Sequence, residues 1–149
     1  MDIRNHKKRG QWAELRFMAK AAELGFQLNK PLGDTAQYDV VLDLGGRFIS
    51  IQVKSTFFQA SNLKPGNFVA SLFHVNGPNH RYEQSDFDYL AVYCIPKDIW
   101  YIIPSTEAAR KHAIRVWPRR QTKPMGTLPR SLAPTPRPRP SPTPKARPD

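Results

Sequence analysis

The stretch Tyr38-Asp39-Val40-Val41-Leu42-Asp43-Leu44-Gly45-Gly46-Arg47-Phe48-Ile49-Ser50-Ile51-Gln52-Val53-Lys54 decides how this chain is read. Apolar residues alternate on both sides of Gly45-Gly46, and a glycine pair between two alternating runs predicts a hairpin with a tight turn. With Leu44 and Arg47 flanking a two-residue turn, Asp39 faces Gln52 and Val41 faces Ser50. The opposite face then pairs Tyr38 with Val53, Val40 with Ile51 and Leu42 with Ile49, a continuous apolar layer. A four-residue loop gives the same register, and a one-residue slip would scramble the faces. Lys54, two residues beyond Gln52, points the same way as Gln52.

This register gathers chemistry on one patch. Cross-strand partners have Cβ atoms ~4.5–5.5 Å apart, close enough to share a ligand. Asp39 would supply an oxygen to a hard divalent cation such as Mg²⁺ (or Mn²⁺). Gln52 would offer its amide oxygen and Val53 its backbone carbonyl. Lys54 would hold the attacking water, steady its deprotonated form or neutralise charge developing on a phosphorane, with the cation as Lewis acid. The plain alternative is a wet hairpin face on which Lys54 pairs with Asp39.

Upstream, residues 7–24 read as a helix ended by Gly25. Arg16, Lys20 and Glu23 mark its polar side, and Leu15, Phe17, Met18, Ala21 and Ala22 a wide apolar one. Glu14 falls on the apolar side, where a carboxylate is either wet at a helix end or buried with a partner. With the helix packed on the Asp39–Gln52 face, Glu14 becomes a second ligand, direct or through water.

Further strands are expected at Phe68–Val75, Tyr89–Ile95 and Trp100–Ile103, with Ile114–Trp117 as a last strand or a segment packed along the core. Ser105 or Thr106 is expected to cap a short helix, and residues 76–85 form a polar loop. The fold class is α/β: a mixed central sheet with flanking helices over residues 1–117. From Pro118 the composition changes. The run Pro134–Pro144 alternates proline with Thr, Arg and Ser and has no apolar periodicity, so residues 118–149 are expected to be a disordered, polyproline-like tail.

A chain of 149 residues suffices for one domain with a real core. Nine Lys and Arg against Asp149 alone lie beyond Ile114, which leaves only +3 of the net +11 for residues 1–114. Such a balance favours polyanions, nucleic acid above all, and the tail would add salt-sensitive nonspecific binding or merely solubility. The single cysteine, Cys94, lies in the apolar run Leu90–Ile95 and reads as a small core residue. Neither a signal peptide nor an apolar run near the ~20 residues of a membrane span is present, so a cytoplasmic protein without membrane contact is expected. The four histidines lack ligand spacing, which disfavours zinc. The absence of a phosphate loop and a nucleophile elbow sets aside nucleotide and serine hydrolase chemistry.

Glu14 in a helix, Tyr38-Asp39 in a strand and Gln52-Val53-Lys54 in the next resemble the PD-(D/E)xK nuclease superfamily. The order and spacing are most similar to its group I intron-encoded (homing) endonuclease branch, in which glutamine occupies the second acidic position. Asp86–Tyr93 and Trp100–Pro104 are similar to that branch as well, and the resemblance covers residues 7–117. Tyr38 stands where the superfamily name has proline. The resemblance implies a restriction-endonuclease-like core and a Mg²⁺-dependent site in which Asp39, Gln52 and Lys54 are catalytic with Glu14 in support. It also implies double-stranded DNA as substrate, hydrolysis of its phosphodiester bonds and no small-molecule cofactor. Cutting both strands with one site per chain favours a homo-oligomer, dimer or tetramer. Two rivals stand beside this reading: a Holliday-junction resolvase or restriction-type nuclease, and an inactive DNA-binding relative.

For DNA contact, Lys7, Lys8 and Arg9 before the first helix are expected to meet backbone phosphates. Ser55 and Thr56 would touch phosphate or cap a strand end, and His74, His80, Arg81 and Tyr82 would sit in a DNA-facing or simply solvated loop. Asp88 is expected to cap a turn or pair internally.

Overall fold

The computed structural model describes residues 4–33, 35–59, 66–73 and 81–117. The proposed tail, residues 118–149, lies outside the described residues, as do His74 and His80 of the polar loop.

Helix α1 spans His6–Glu23, opened by Asn5, whose side chain accepts the Lys8 N–H at 3.0 Å. It ends where Gly25 adopts φ +86°, a conformation costly for any residue with a Cβ. Ala13, Phe17 and Ala21 are buried, a stripe four residues apart that faces the sheet. Leu15 is 63% exposed and Ala22 is exposed as well, so the expected wide apolar face is wrong in these two places. Leu15 points about 200° from Ala13, away from the stripe. Trp12 and Met18 pack at its margins instead.

The hairpin forms as read. Strand β2 (Val40–Asp43) pairs antiparallel with β3 (Phe48–Thr56), matching Val40 with Ile51, Val41 with Ser50 and Leu42 with Ile49. Leu44 N–H donates to the Arg47 carbonyl at 2.9 Å across the two-residue turn, and Gly45 and Gly46 take φ +81° and +104°. The Asp43 carboxylate accepts both turn glycine N–H groups, at 2.8 and 3.1 Å.

Strand β1 (Gln27–Asn29) was not legible in sequence; it adds antiparallel to β2 as an edge. Strand β4 spans Phe68–Ser71, shorter than expected. Strand β5 (Tyr89–Cys94) joins β3 in parallel, and β6 (Ile99–Pro104) joins β5 antiparallel. The order is β1-β2-β3-β5-β6, a mixed sheet. Helix α2 covers only Ser105–Ala108; its cap position is Pro104, and neither Ser105 nor Thr106 caps it with a side chain. Ser105 N–H donates instead to the Asp88 carbonyl at 2.9 Å. Strand β7 (Ala113–Val116) pairs with β4 in a second, two-stranded sheet.

The central sheet is apolar on both faces, as expected where a parallel pair is covered on each side. On one face Val40, Leu42, Ile49, Ile51, Val53, Ala91, Tyr93 and Trp100 meet the α1 stripe, with Phe17 edge-on to Trp100 at 5.5 Å. Truncating Phe17 to Ala would cost about 3–5 kcal/mol there. On the other face Leu90, Val92, Cys94 and Tyr101 lie under Phe68, Ala70, Ile114 and Val116 of the small sheet. Helix α1 is pinned at its middle by Arg16, whose guanidinium donates to Asp98 at 3.0 Å. Asp98 also accepts the Tyr93 hydroxyl at 2.5 Å and holds φ +51° in the turn before β6.

Candidate active site

The site sits where β2 runs out. Beyond the Val40–Ile51 pair, Asp39 still gives its N–H to the Ile51 carbonyl at 2.9 Å. The next rung would give Val53 N–H to the Tyr38 backbone. The Asp39 carboxylate takes it instead: its Oδ2 accepts Val53 N–H at 2.7 Å and the Gln52 amide nitrogen at 2.6 Å. Tyr38, expected in the apolar layer beside Val40 and Leu42, packs with the opposite cluster under the small sheet. Strand alternation no longer constrains it, because it precedes the first paired residue.

The arrangement costs something at Asp39. Burial is the main reason its carboxyl is raised from the usual 3.8 to about 6, and the charge of Glu14 adds to this. The Val53 N–H works against the shift most strongly, followed by Lys54 and Lys30. Gln52 is 6% exposed, and its amide nitrogen also lies 3.3 Å from the Val53 carbonyl oxygen. Two acceptor oxygens therefore converge beside the amide at the open edge of β3.

Glu14 approaches from the other side of the sheet. Helix α1 covers the face of Val40, Ile51 and Val53, not the Asp39–Gln52 face as expected, because its Ala13–Phe17–Ala21 stripe packs against those side chains. Glu14 flanks that stripe, mostly buried, and its Oε2 accepts Lys30 Nζ at 2.7 Å. Sequence reasoning missed Lys30. It follows β1, and the pairing of Asn29 with Val41 brings it beside the start of β2.

Lys54 extends from β3 beneath the second layer. Its ammonium lies 5.2 Å over the Tyr82 ring and 3.5 Å from the Phe73 carbonyl. The Lys54–Asp39 ion pair of a plain wet hairpin is not among the ion pairs of the described residues. Tyr82, expected in a DNA-facing or solvated loop, is instead 3% exposed and packs in the cluster under the small sheet.

Glu14, Asp39, the Gln52 amide and the Val53 carbonyl are all oxygen donors, a set that suits a hard divalent cation. Among the described residues no three His, Cys, Asp or Glu side chains cluster as a metal site. The set therefore depends on the amide and the carbonyl as well as the two acids.

A family model described as PD-(D/E)XK endonuclease matches residues 4–131, which include every residue of this site. The chain belongs to the PD-(D/E)XK endonuclease family. Among solved structures, it is similar to the bacterial homing endonuclease I-Ssp6803I, with 28% identity and a TM-score of 0.62 over 80% of this chain and 82% of that one. It is also similar to the Holliday junction resolvase Hjc of the archaeal hyperthermophile Archaeoglobus fulgidus, with 15% identity and a TM-score of 0.48, over 74% and 84% of the two chains. No curated protein sequence matches this chain.

Around this candidate site, the residues expected to meet DNA are scattered. Lys7 and Lys8 are exposed on the first turn of α1. The Arg9 guanidinium stacks over Phe57 at 4.8 Å and contacts His6 at 2.9 Å. Ser55 is half-buried. Thr56 is 3% exposed and donates its hydroxyl to the Val69 carbonyl at 2.6 Å, joining β3 to β4, so it is withdrawn from the DNA-facing set. Arg81 is exposed beside His112, 2.7 Å from its Nε2. Asp88 is exposed but pairs within the chain as expected: its Oδ2 accepts the Ser50 N–H and hydroxyl, each at 2.8 Å. Cys94 is fully buried, and burial raises its thiol pKa. Among the described residues, no helix is long and apolar enough to cross a membrane.

Proposed function

We propose that this protein is a divalent-cation-dependent endonuclease that hydrolyses phosphodiester bonds in double-stranded DNA, in the manner of a homing endonuclease. The observation that carries the reading is the Asp39 carboxylate standing in for a missing backbone rung, beside Gln52 and the Val53 carbonyl and within the electrostatic reach of Glu14 and Lys54. A hairpin kept only for stability would use the backbone of Tyr38 there, and would have no reason to bury an acid whose ionisation is opposed.

Asp39, Glu14, the Gln52 amide oxygen and the Val53 carbonyl would hold Mg²⁺ or Mn²⁺. The bound cation supplies Lewis-acid activation of the water and of the scissile phosphate. Lys54 does the work that belongs to the chain itself. Its ammonium, held by the Tyr82 ring rather than spent on Asp39, orients the attacking water and offsets charge building on the phosphoryl oxygens. Lys7, Lys8 and Arg9 contribute phosphate contacts, with Ser55, His80 and Arg81 as further candidates. Two copies of the chain, as a dimer or within a tetramer, would supply one site for each strand.

The test compares supercoiled, linear, single-stranded and four-way-junction DNA, with Mg²⁺ or Mn²⁺ and with EDTA. Cutting of duplex DNA that is lost in EDTA, in Asp39→Ala and in Lys54→Ala is the expected result. A preference for the junction would move the assignment to a resolvase. Tight DNA binding without cutting under any cation would make the chain an inactive relative, and equal activity in the two variants would refute the site.

A further inference from the structure

The orientation of the Gln52 amide carries information that the ligand set alone does not. Its nitrogen lies between Asp39 Oδ2, at 2.6 Å, and the Val53 carbonyl oxygen, at 3.3 Å. Asp39 Oδ2 already accepts the Val53 N–H at 2.7 Å, and a carbonyl oxygen can only accept. Between two acceptors the amide must present its NH₂ end, which fixes the assignment chemically. The amide oxygen therefore points away from the oxygens it would join around a cation.

We infer that the Gln52 NH₂ group is a built-in substitute for the metal: it occupies the gap between Asp39 and Val53 when the site is empty, and the amide turns over to present its oxygen when a cation enters. The inference rests on the metal-dependent reading above and goes beyond it. Amide nitrogen and oxygen are nearly the same size, so the turn needs no extra room in a side chain only 6% exposed.

The substitution has two opposed effects. Without a cation the NH₂ group satisfies a half-buried carboxylate that would otherwise face a second acid, so the edge of β3 holds its shape. On loading, two N–H bonds to fixed oxygens must be surrendered, so the cation competes with the protein's own donor. A glutamate at this position would reverse both effects: an empty site strained by two carboxylates, and a tighter hold on the metal.

The test uses the full-length protein with Ca²⁺ and Mg²⁺ as probes. In ¹⁵N-labelled wild type, the Gln52 side-chain NH₂ signals, assigned by their loss in Gln52→Glu, should shift in step with calorimetric saturation and exchange faster with water. Gln52→Glu should unfold at a lower temperature than wild type in EDTA. It should also bind the cation on the order of 10-fold more tightly, since adding a charged oxygen ligand raises affinity. Wild-type NH₂ signals that stay in place while the cation saturates the site would overturn the inference and leave the proposed function standing. The wild-type measurement does not depend on the variant's folding. Absence of any cation binding in wild type would defeat both.

Discussion

The charge on Asp39 should cost this protein stability, and Asp39→Asn measures how much. The carboxyl is held at about 6 against 3.8 for a free aspartate, with burial as the main cause. The folded state thus binds this proton more tightly than the unfolded state. The protonated form's stabilisation is complete below pH 3.8 and is lost as pH rises through about 6. A gap of about two pH units, at ~1.4 kcal/mol each, amounts to about 3 kcal/mol by pH 8. Asparagine keeps an oxygen in place for the Val53 N–H and the Gln52 amide but never ionises. In EDTA at pH 8, Asp39→Asn should therefore be the more stable protein by up to about 3 kcal/mol, a midpoint increase on the order of 10 °C for a domain of this size. At pH 5 roughly half of the difference should remain, and it should vanish only as pH falls below about 3.8. The assay is thermal or urea unfolding of both proteins from about pH 3.5 to 8, with DNA cutting measured in parallel at the upper end. Cutting should be lost where stability is gained, the exchange expected of an acid kept for function. A difference that does not change with pH, or a less stable variant at pH 8, would refute the reasoning.

Three further outcomes follow from contacts around the same site. Tyr82→Leu removes the ring beneath Lys54 and should lower kcat by up to about 10-fold with little change in KM, whereas Tyr82→Phe keeps the ring face and most of the rate. Lys30→Gln strips Glu14 of its partner and removes a cation that favours ionised Asp39. Carboxyl NMR should then place the Asp39 midpoint above its present value of about 6, while urea unfolding changes by less than about 1 kcal/mol because Lys30 is half-exposed. Asp88→Ala releases both Ser50 hydrogen bonds and should cost about 1–2 kcal/mol in urea unfolding, with cutting preserved under conditions where the variant is folded.

The parts of the fold that were legible are those where one physical rule acts alone. Gly45-Gly46 can supply the two positive φ angles of a tight turn at little cost, and the apolar alternation on each side admits one register, so β2 and β3 paired as read. Strand β1 was missed because three residues give no period to detect. It exists only because β2 offers it an edge. The α1 face was misjudged at Leu15 and Ala22 because helical phase identifies a side, not its width. The width is set by how closely the helix sits on the sheet, and small Ala13 and Ala21 allow an approach that leaves Leu15 outside. Tyr38 left its expected face once pairing stopped at Val40, since alternation binds only residues held in a ladder.

The site divides along a similar line. Asp39 and Glu14 stood out because each breaks a pattern: an acid at the head of an apolar strand, and an acid on the apolar side of a helix. Their partners obey the patterns of their own segments. Lys30 is a lysine after a short polar strand and draws no notice, and Tyr82 reads as one more residue of a polar loop until the folded chain buries its ring against Lys54. Yet the partners decide how the acids behave. Lys30 engages the Glu14 carboxylate at 2.7 Å, and Tyr82 holds Lys54 through its ring face rather than through a carboxylate. Gln52 belongs to both groups. In the sequence it looks like the absence of an acid. In the folded chain it is the donor that lets Asp39 replace a strand rung, because a second carboxylate 2.6 Å away would push that replacement apart. The glutamine and the truncated β2 are therefore coupled. An acid at position 52 would set a second carboxylate against Asp39, a strain that a bound cation would relieve, as would a β2 that reached Tyr38, gave Val53 N–H back to the backbone and freed Asp39 from the edge where the site is built.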